Sequence, residues 1–122
     1  MKFIKIALLI TALTPAFLSM HAQAGDADFT LVNSTGYTLR EIYLSPTSKE
    51  TWGNDRMGNG FLDNGKSRLF RFSDKASCNQ DLKIVFDDDD SKAVWSNIDL
   101  CSVDKITIKY NRSTGVTSAV FD

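Results

Sequence analysis

Leu82-Lys83-Ile84-Val85-Phe86-Asp87-Asp88-Asp89-Asp90-Ser91-Lys92-Ala93-Val94-Trp95 decides the fold class of this chain. Leu82, Ile84 and Phe86 alternate with Lys83 and Val85, which is the period of a strand with one face buried. Asp87 to Asp90 make a polar tip, and Ala93 to Asn97 return from it, so the stretch reads as a β-hairpin.

The same grammar extends in both directions. Upstream, Phe29 and Leu31 begin a strand that Asn33-Ser34-Thr35-Gly36 closes with turn residues. Tyr37 to Leu44 form a second strand whose alternation changes face near Arg40-Glu41, as one inserted residue in a β-bulge would do. Ser45-Pro46 ends it, because proline cannot donate to a ladder. A short helical turn is expected at Lys49 to Trp52, inside an irregular loop over residues 47–65. Arg68 to Phe72 returns to a strand. Downstream, Ile98 to Leu100 lead to Cys101, and Ile106, Ile108 and Tyr110 form another strand. Asn111 to Gly115 form a turn, and Val116 to Phe121 the last strand. No window after residue 24 carries a sustained 3.6-residue apolar repeat. Seven or eight short strands predict an all-β, single-domain antiparallel β-sandwich over residues 25–122. A small closed β-barrel is the alternative.

Residues 1–24 read as a secretory signal peptide. Lys2 and Lys5 supply the positive start, Ile6 to Leu13 the short apolar stretch, and Ala22-Gln23-Ala24 the small residues of a cleavage site. The apolar run is too short to span a membrane. Cleavage after Ala24 would remove His21, the single histidine of the 122-residue sequence. It would also remove Lys2 and Lys5, taking the formal net charge from −1 to −3. The expected destination is the periplasm or the cell exterior, where Cys78 and Cys101 would pair in a disulfide. Closing a loop of that length is worth about 3 kcal/mol. A net negative domain has no basic face for nucleic acid, and no cysteine near the cleavage point offers a lipid anchor.

Chemistry has little to work with. Without histidine, Ser-His-Asp, Cys-His and zinc sites drop out. Glu41 and Glu50 are the only glutamates, and a glycosidase pair would need two facing carboxylates. The expectation is a protein that is not an enzyme. Two stretches could bind. Asp87, Asp88, Asp89 and Asp90 offer oxygen ligands that suit calcium, against the reading of a solvated tip that discourages edge pairing. In loop 47–65, Trp52 and Phe61 could stack on a partner while Asn54, Asp55 and Arg56 supply polar contacts. Against this, Trp52, Met57 and Phe61 could fold inward and cap the sandwich.

Several residues together carry a resemblance: Asn33-Ser34-Thr35-Gly36, then Leu39, Ile42-Tyr43-Leu44-Ser45-Pro46, then Trp52-Gly53-Asn54-Asp55-Arg56-Met57-Gly58. Cys78, Asp81-Leu82 and Asp99-Leu100-Cys101 complete it. The chain resembles a family of small exported bacterial proteins of unassigned function, sometimes labelled argininosuccinate lyase. That enzyme is a large helical protein with active sites shared between subunits, so the label does not fit a β-rich chain of this size. The resemblance implies export and the fold, and no mechanism. Asn33 and Gly36 suit a tight turn with positive φ. Tyr43 and Trp52 could brace the loop against the sheet.

The expected function is a non-catalytic secreted or periplasmic binding protein that contacts a protein or glycan partner of the cell envelope through residues 47–65. A calcium-dependent module using Asp87–Asp90 is one alternative, and an inhibitor or immunity protein against an envelope-acting enzyme another.

Overall fold

The computed structural model describes residues 25–122. The signal-peptide reading falls on residues 1–24 and lies outside the described residues. Seven strands follow in chain order: β1 (Phe29–Ser34), β2 (Leu39–Pro46), β3 (Ser67–Phe70), β4 (Asn79–Phe86), β5 (Lys92–Asp99), β6 (Lys105–Asn111) and β7 (Val116–Phe121). One 3-10 helix, Leu100–Ser102, joins β5 to β6. Four strands form one sheet in the order β3-β1-β6-β7, and three form the other in the order β2-β4-β5.

The alternation that predicts the strands also builds the core. Phe29 and Leu31 of β1 and Ile106 and Ile108 of β6 lie on the inner face of the larger sheet. Ile42 and Leu44 of β2 and Leu82, Ile84 and Phe86 of β4 cover them from the smaller one. All are buried, as the two inner faces of a sandwich require. The architecture is an open β-sandwich. The closed barrel is excluded: among the described residues no continuous ladder joins the two sheets, and only an isolated bridge, Leu39 to Leu62, lies outside the strand pairs.

The sheets are not wholly antiparallel. Thr30 to Ser34 of β1 pair in parallel with Lys105 to Lys109 of β6. A tight hairpin can join only antiparallel neighbours. The chain between β1 and β6 instead crosses through the smaller sheet, so their mutual direction is free of any turn. The register shifts between Leu39 and Glu41, where the face change places a bulge. A second shift, opposite Gln80–Leu82, leaves Asn97 at φ 57°. Its amide donates to the Asp81 carboxylate at 2.8 Å.

Three local expectations change. No helical turn forms at Lys49 to Trp52; a β-turn closes just before that segment, with Lys49 N–H donating to the Pro46 carbonyl at 2.9 Å. β3 stops at Phe70 because the Phe72 amide leaves the ladder and donates to Asp28 Oδ1 at 2.6 Å. Asn33 does not supply a positive φ; only Gly36 does, at 88°. Asn33 is instead a fully buried strand residue. Its amide donates to the carbonyls of Tyr37 and Leu62 at 2.7 and 2.8 Å, and its oxygen accepts from Thr35 N–H and Oγ1.

The disulfide is present. Cys78 and Cys101 are joined with Cα atoms 5.2 Å apart, and the Leu100 amide donates to the Cys78 carbonyl beside them. The bond ties the start of β4 to the 3-10 helix after β5.

Candidate functional site

Loop 47–65 runs from β2 towards β3 and closes one side of the sandwich. Asp55 is the reason it holds a fixed shape. Its Oδ1 accepts from the backbone amides of Ile42 at 2.9 Å and Met57 at 3.0 Å. The Arg56 amide then donates to the Ile42 carbonyl at 2.7 Å. Two backbone groups that an edge strand would leave to water are thereby paired within the chain. The Arg56 guanidinium lies 4.9 Å from the centroid of Phe72, and its Nη2 donates to the Arg71 carbonyl at 3.2 Å. Burial lowers its pKa from the ordinary arginine value. Met57 is buried in the core cluster.

The five loop residues singled out from the sequence therefore divide. Asp55 and Arg56 use their polar groups as braces between β2 and β3. Trp52 is half-buried, with the Lys83 ammonium 5.1 Å from its ring. Asn54 and Phe61 face solvent. Phe61 is 56 % exposed because its neighbour Leu62 exchanges two backbone hydrogen bonds with Leu39 and turns its side chain into the core. In an extended segment the adjacent side chain then points outward. Phe61 borders a shallow cleft of about 240 Å³ that also takes in Arg40, Glu41, Asp55 and Asn59.

Asp87 to Asp90 are all exposed. Asp89 accepts from the Ser91 amide and hydroxyl, which hold its carboxyl below the ordinary value. Asp90, at φ 61°, pairs with the Arg40 guanidinium. Among the described residues, no three of the four carboxylates come together at ligand distance. The one such grouping is Cys78, Asp99 and Cys101, whose sulfurs are already bonded to each other. Calcium takes about six to eight oxygens, whereas here the carboxylates are spread along an exposed turn that Asp90 ties to β2.

A network that the sequence reading missed links the two candidate stretches across the outer face of the smaller sheet. Arg40 joins Asp90 to Glu41, with Nε donating to Oε2 at 3.1 Å. The Tyr43 hydroxyl donates to Glu41 Oε1 at 2.6 Å. The Lys83 ammonium lies 4.5 Å from the Tyr43 ring centroid and reaches on to Trp52. Tyr43 and Lys83 are register partners. Their outward direction follows from the alternation that turns Ile42 and Ile84 inward, so the signal was in the sequence.

These contacts also fix protonation. The hydrogen bond from Tyr43, followed by Arg40, holds the Glu41 carboxyl below its ordinary value. The same bond pushes the Tyr43 phenol up to about 12. Glu41 and Asp55 both line the cleft beside Phe61. Acid catalysis, however, needs a carboxyl whose pKa is raised. Glu41 is shifted the other way, and the Asp55 oxygen is engaged by two amides.

At one end of the sandwich Tyr37, Phe86 and Tyr110 meet edge to face, with centroids 5.6 to 6.3 Å apart, and Arg112 lies over Tyr37. The notch the three rings line together with Asp88, Asp89 and Ser91 is about 80 Å³, room for a few solvent molecules. Among the described residues no helix is long and apolar enough to cross a membrane. Comparison with known protein families, characterised proteins and solved structures finds no match.

Proposed function

We propose that the domain is a non-catalytic binding protein of the cell envelope that captures a partner through the outer face of loop 47–65. The observation that carries this is Phe61: a large apolar side chain, 56 % exposed, on a loop that Asp55 and Arg56 hold against β2. An exposed aromatic on a braced loop meets its partner with little ordering left to do, which is how compact binding centres gain affinity. Trp52, Tyr43 and Lys83 extend the same surface, and Asn54 adds a polar contact beside it. The partner is a protein or a glycan, and an inhibitor of an envelope enzyme is one member of that class.

Export fits the first described residues. Gly25 N donates to Asp28 Oδ2 at 3.2 Å. Cleavage after Ala24 would turn that amide into an ammonium beside a carboxylate. Mass spectrometry of the exported protein should then give a chain that starts at Gly25 and carries no free thiol.

The functional test is capture from envelope extract by chain 25–122 and two variants. Phe61→Ala and Trp52→Ala should each remove the captured species while leaving the melting temperature close to wild type. An undiminished set of captured species with both variants would move the binding surface elsewhere.

A further inference from the structure

The sandwich has four sheet edges, and three of them are guarded. β2 is covered by the Asp55 and Arg56 contacts. β3 is only four residues long and carries Arg68. β5 is interrupted by the bulge at Asn97 and ends in Lys92 and Asp99. β7 has none of these devices. From Ser113 to Phe121 the chain contains no charged residue and no proline. Val116, Val120 and Phe121 are 56, 40 and 44 % exposed. A straight, uncharged, apolar edge of this kind pairs with another chain unless something prevents it.

The outward backbone groups can be assigned. Lys105 and Asp122 exchange both of their ladder bonds, at 3.1 and 2.9 Å. In an antiparallel pair such residues alternate with ones that turn their amides and carbonyls away. Following the register of β6 with β7, the groups of Thr117, Ala119 and Phe121 point away from the sheet.

We propose that β7 is a dimerisation edge, on which β7 of a second copy of this chain adds antiparallel about a two-fold axis at Ser118. Val116-Thr117-Ser118-Ala119-Val120 is self-complementary about that point. Thr117 of each copy meets Ala119 of the other, and both have outward backbone groups, so each such pair exchanges two hydrogen bonds. Val116 meets Val120 of the second copy on the outer face, covering two exposed side chains at each end. Ser118 meets Ser118 in the wider gap between bonded pairs. Charge agrees with this direction. The Arg112 turn at one end of β7 comes beside Asp122 at the other end of the second copy, and neither side chain has an ion-pair partner among the described residues. Parallel addition would set Arg112 against Arg112. An axis normal to the sheet also keeps both inner faces on one side. The open hollow of about 330 Å³ between β5 and β7, lined by Trp95, Ile98, Val103 and Phe121, then faces the other copy.

Sedimentation velocity on oxidised chain 25–122 tests this. The expected result is a monomer–dimer equilibrium. Thr117→Pro should raise the dissociation constant by about tenfold or more with an unchanged far-UV spectrum, because that amide makes no bond to β6 and proline is tolerated only on such an edge. Val120→Lys should do the same through charge, and it decides the matter if the proline variant does not fold. Ser118→Cys should give a covalent dimer on mild oxidation. Phe61→Ala should dimerise like wild type, which separates this surface from the one proposed for partner capture. A monomer at every concentration up to about 1 mM overturns the proposal. So does a dimer indifferent to both substitutions, or a dimer in which Ser118→Cys forms no intermolecular disulfide.

Discussion

The β2/β3 side and the β5/β7 side of the sandwich are closed by different physics. Along β2 and β3, the chain returns on itself: loop 47–65 lends Asp55 to the Ile42 amide, Arg56 to the Phe72 ring and Met57 to the core. Along β5 and β7 no segment returns. There the hollow beside Phe121 stays open, and the covalent reinforcement is the Cys78–Cys101 bond at the base of the β4–β5 hairpin, with backbone bonds from Leu100 to Cys78 and from Asp104 to Asp122 beside it. One side is held by many weak contacts inside one loop, the other by a covalent bond with a few backbone bonds beside an unpaired edge. A small domain has little stability to spare, so the two sides should fail differently.

The largest expected effect is on the covalent side. Replacing both Cys78 and Cys101 by serine should lower unfolding free energy by about 3 kcal/mol, the scale for freeing a loop of this length in the unfolded chain. Urea denaturation measures the loss. Amide exchange locates it, with faster opening in β5 and Leu100–Ser102 and little change at Ile42 and Met57. Uniform acceleration through both sides would break the distinction.

Next comes Asp55→Ala, which leaves two backbone amides without their acceptor. The expected cost is about 2 kcal/mol, with exchange at Ile42 and Met57 rising first. Arg56→Ala removes the guanidinium from Phe72 and one bond to Arg71, for about 1 kcal/mol. Both costs should be visible in the urea midpoint. If Asp55→Ala instead left stability unchanged, loop 47–65 would be an appendage and not a closure. On the opposite edge Val116→Thr should stay within about 0.5 kcal/mol in the monomer, since that side chain touches mainly water.

How far the sequence reached follows the same division. Strand positions, the hairpin at Asp87–Asp90, the bulge near Arg40-Glu41 and the disulfide were legible, because period-2 alternation and paired cysteines are local signals. The parallel pairing of β1 with β6 was not, since no turn connects them and no pattern within either strand encodes its neighbour. Asn33 looked like a turn residue because asparagine favours turns in general. Its real work is long-range: the Leu62 carbonyl it satisfies is 29 residues away. Within the candidate site, Phe61 was legible as a residue type, but its exposure depends on Leu62 docking to Leu39. Asp55 and Arg56 looked available for a partner for the same reason in reverse. Their intramolecular partners, Ile42 and Phe72, lie 13 and 16 positions away and no spacing rule announces them.

The smallest effect concerns the outer-face network and its pH dependence. Glu41 is held below its ordinary value of 4.5, chiefly by the Tyr43 hydroxyl, and Tyr43 is raised from 10.0 to about 12 by the same bond. A depressed carboxyl contributes stability above the unfolded-state value and loses it as pH falls through the folded one. A raised phenol contributes below its unfolded value and loses it as pH climbs from 10.0 towards 12. Both shifts describe one hydrogen bond, so wild type should exceed Tyr43→Phe by a constant margin between pH 4.5 and 10.0. The margin should shrink on either side of that window. It will be smaller than the losses expected at Cys78–Cys101, Asp55 and Arg56, because both groups are partly solvated and water screens their interaction. Urea midpoints of the two proteins across pH measure the margin, and the difference in phenolate absorbance between them reports the ionisation of Tyr43 directly. A Tyr43 that ionises near its ordinary 10.0, or a margin that does not shrink at either limit, would mean that the Glu41–Tyr43 bond is not maintained in solution. Trp52 and Lys83 would then lose the anchored ring that fixes their place next to loop 47–65.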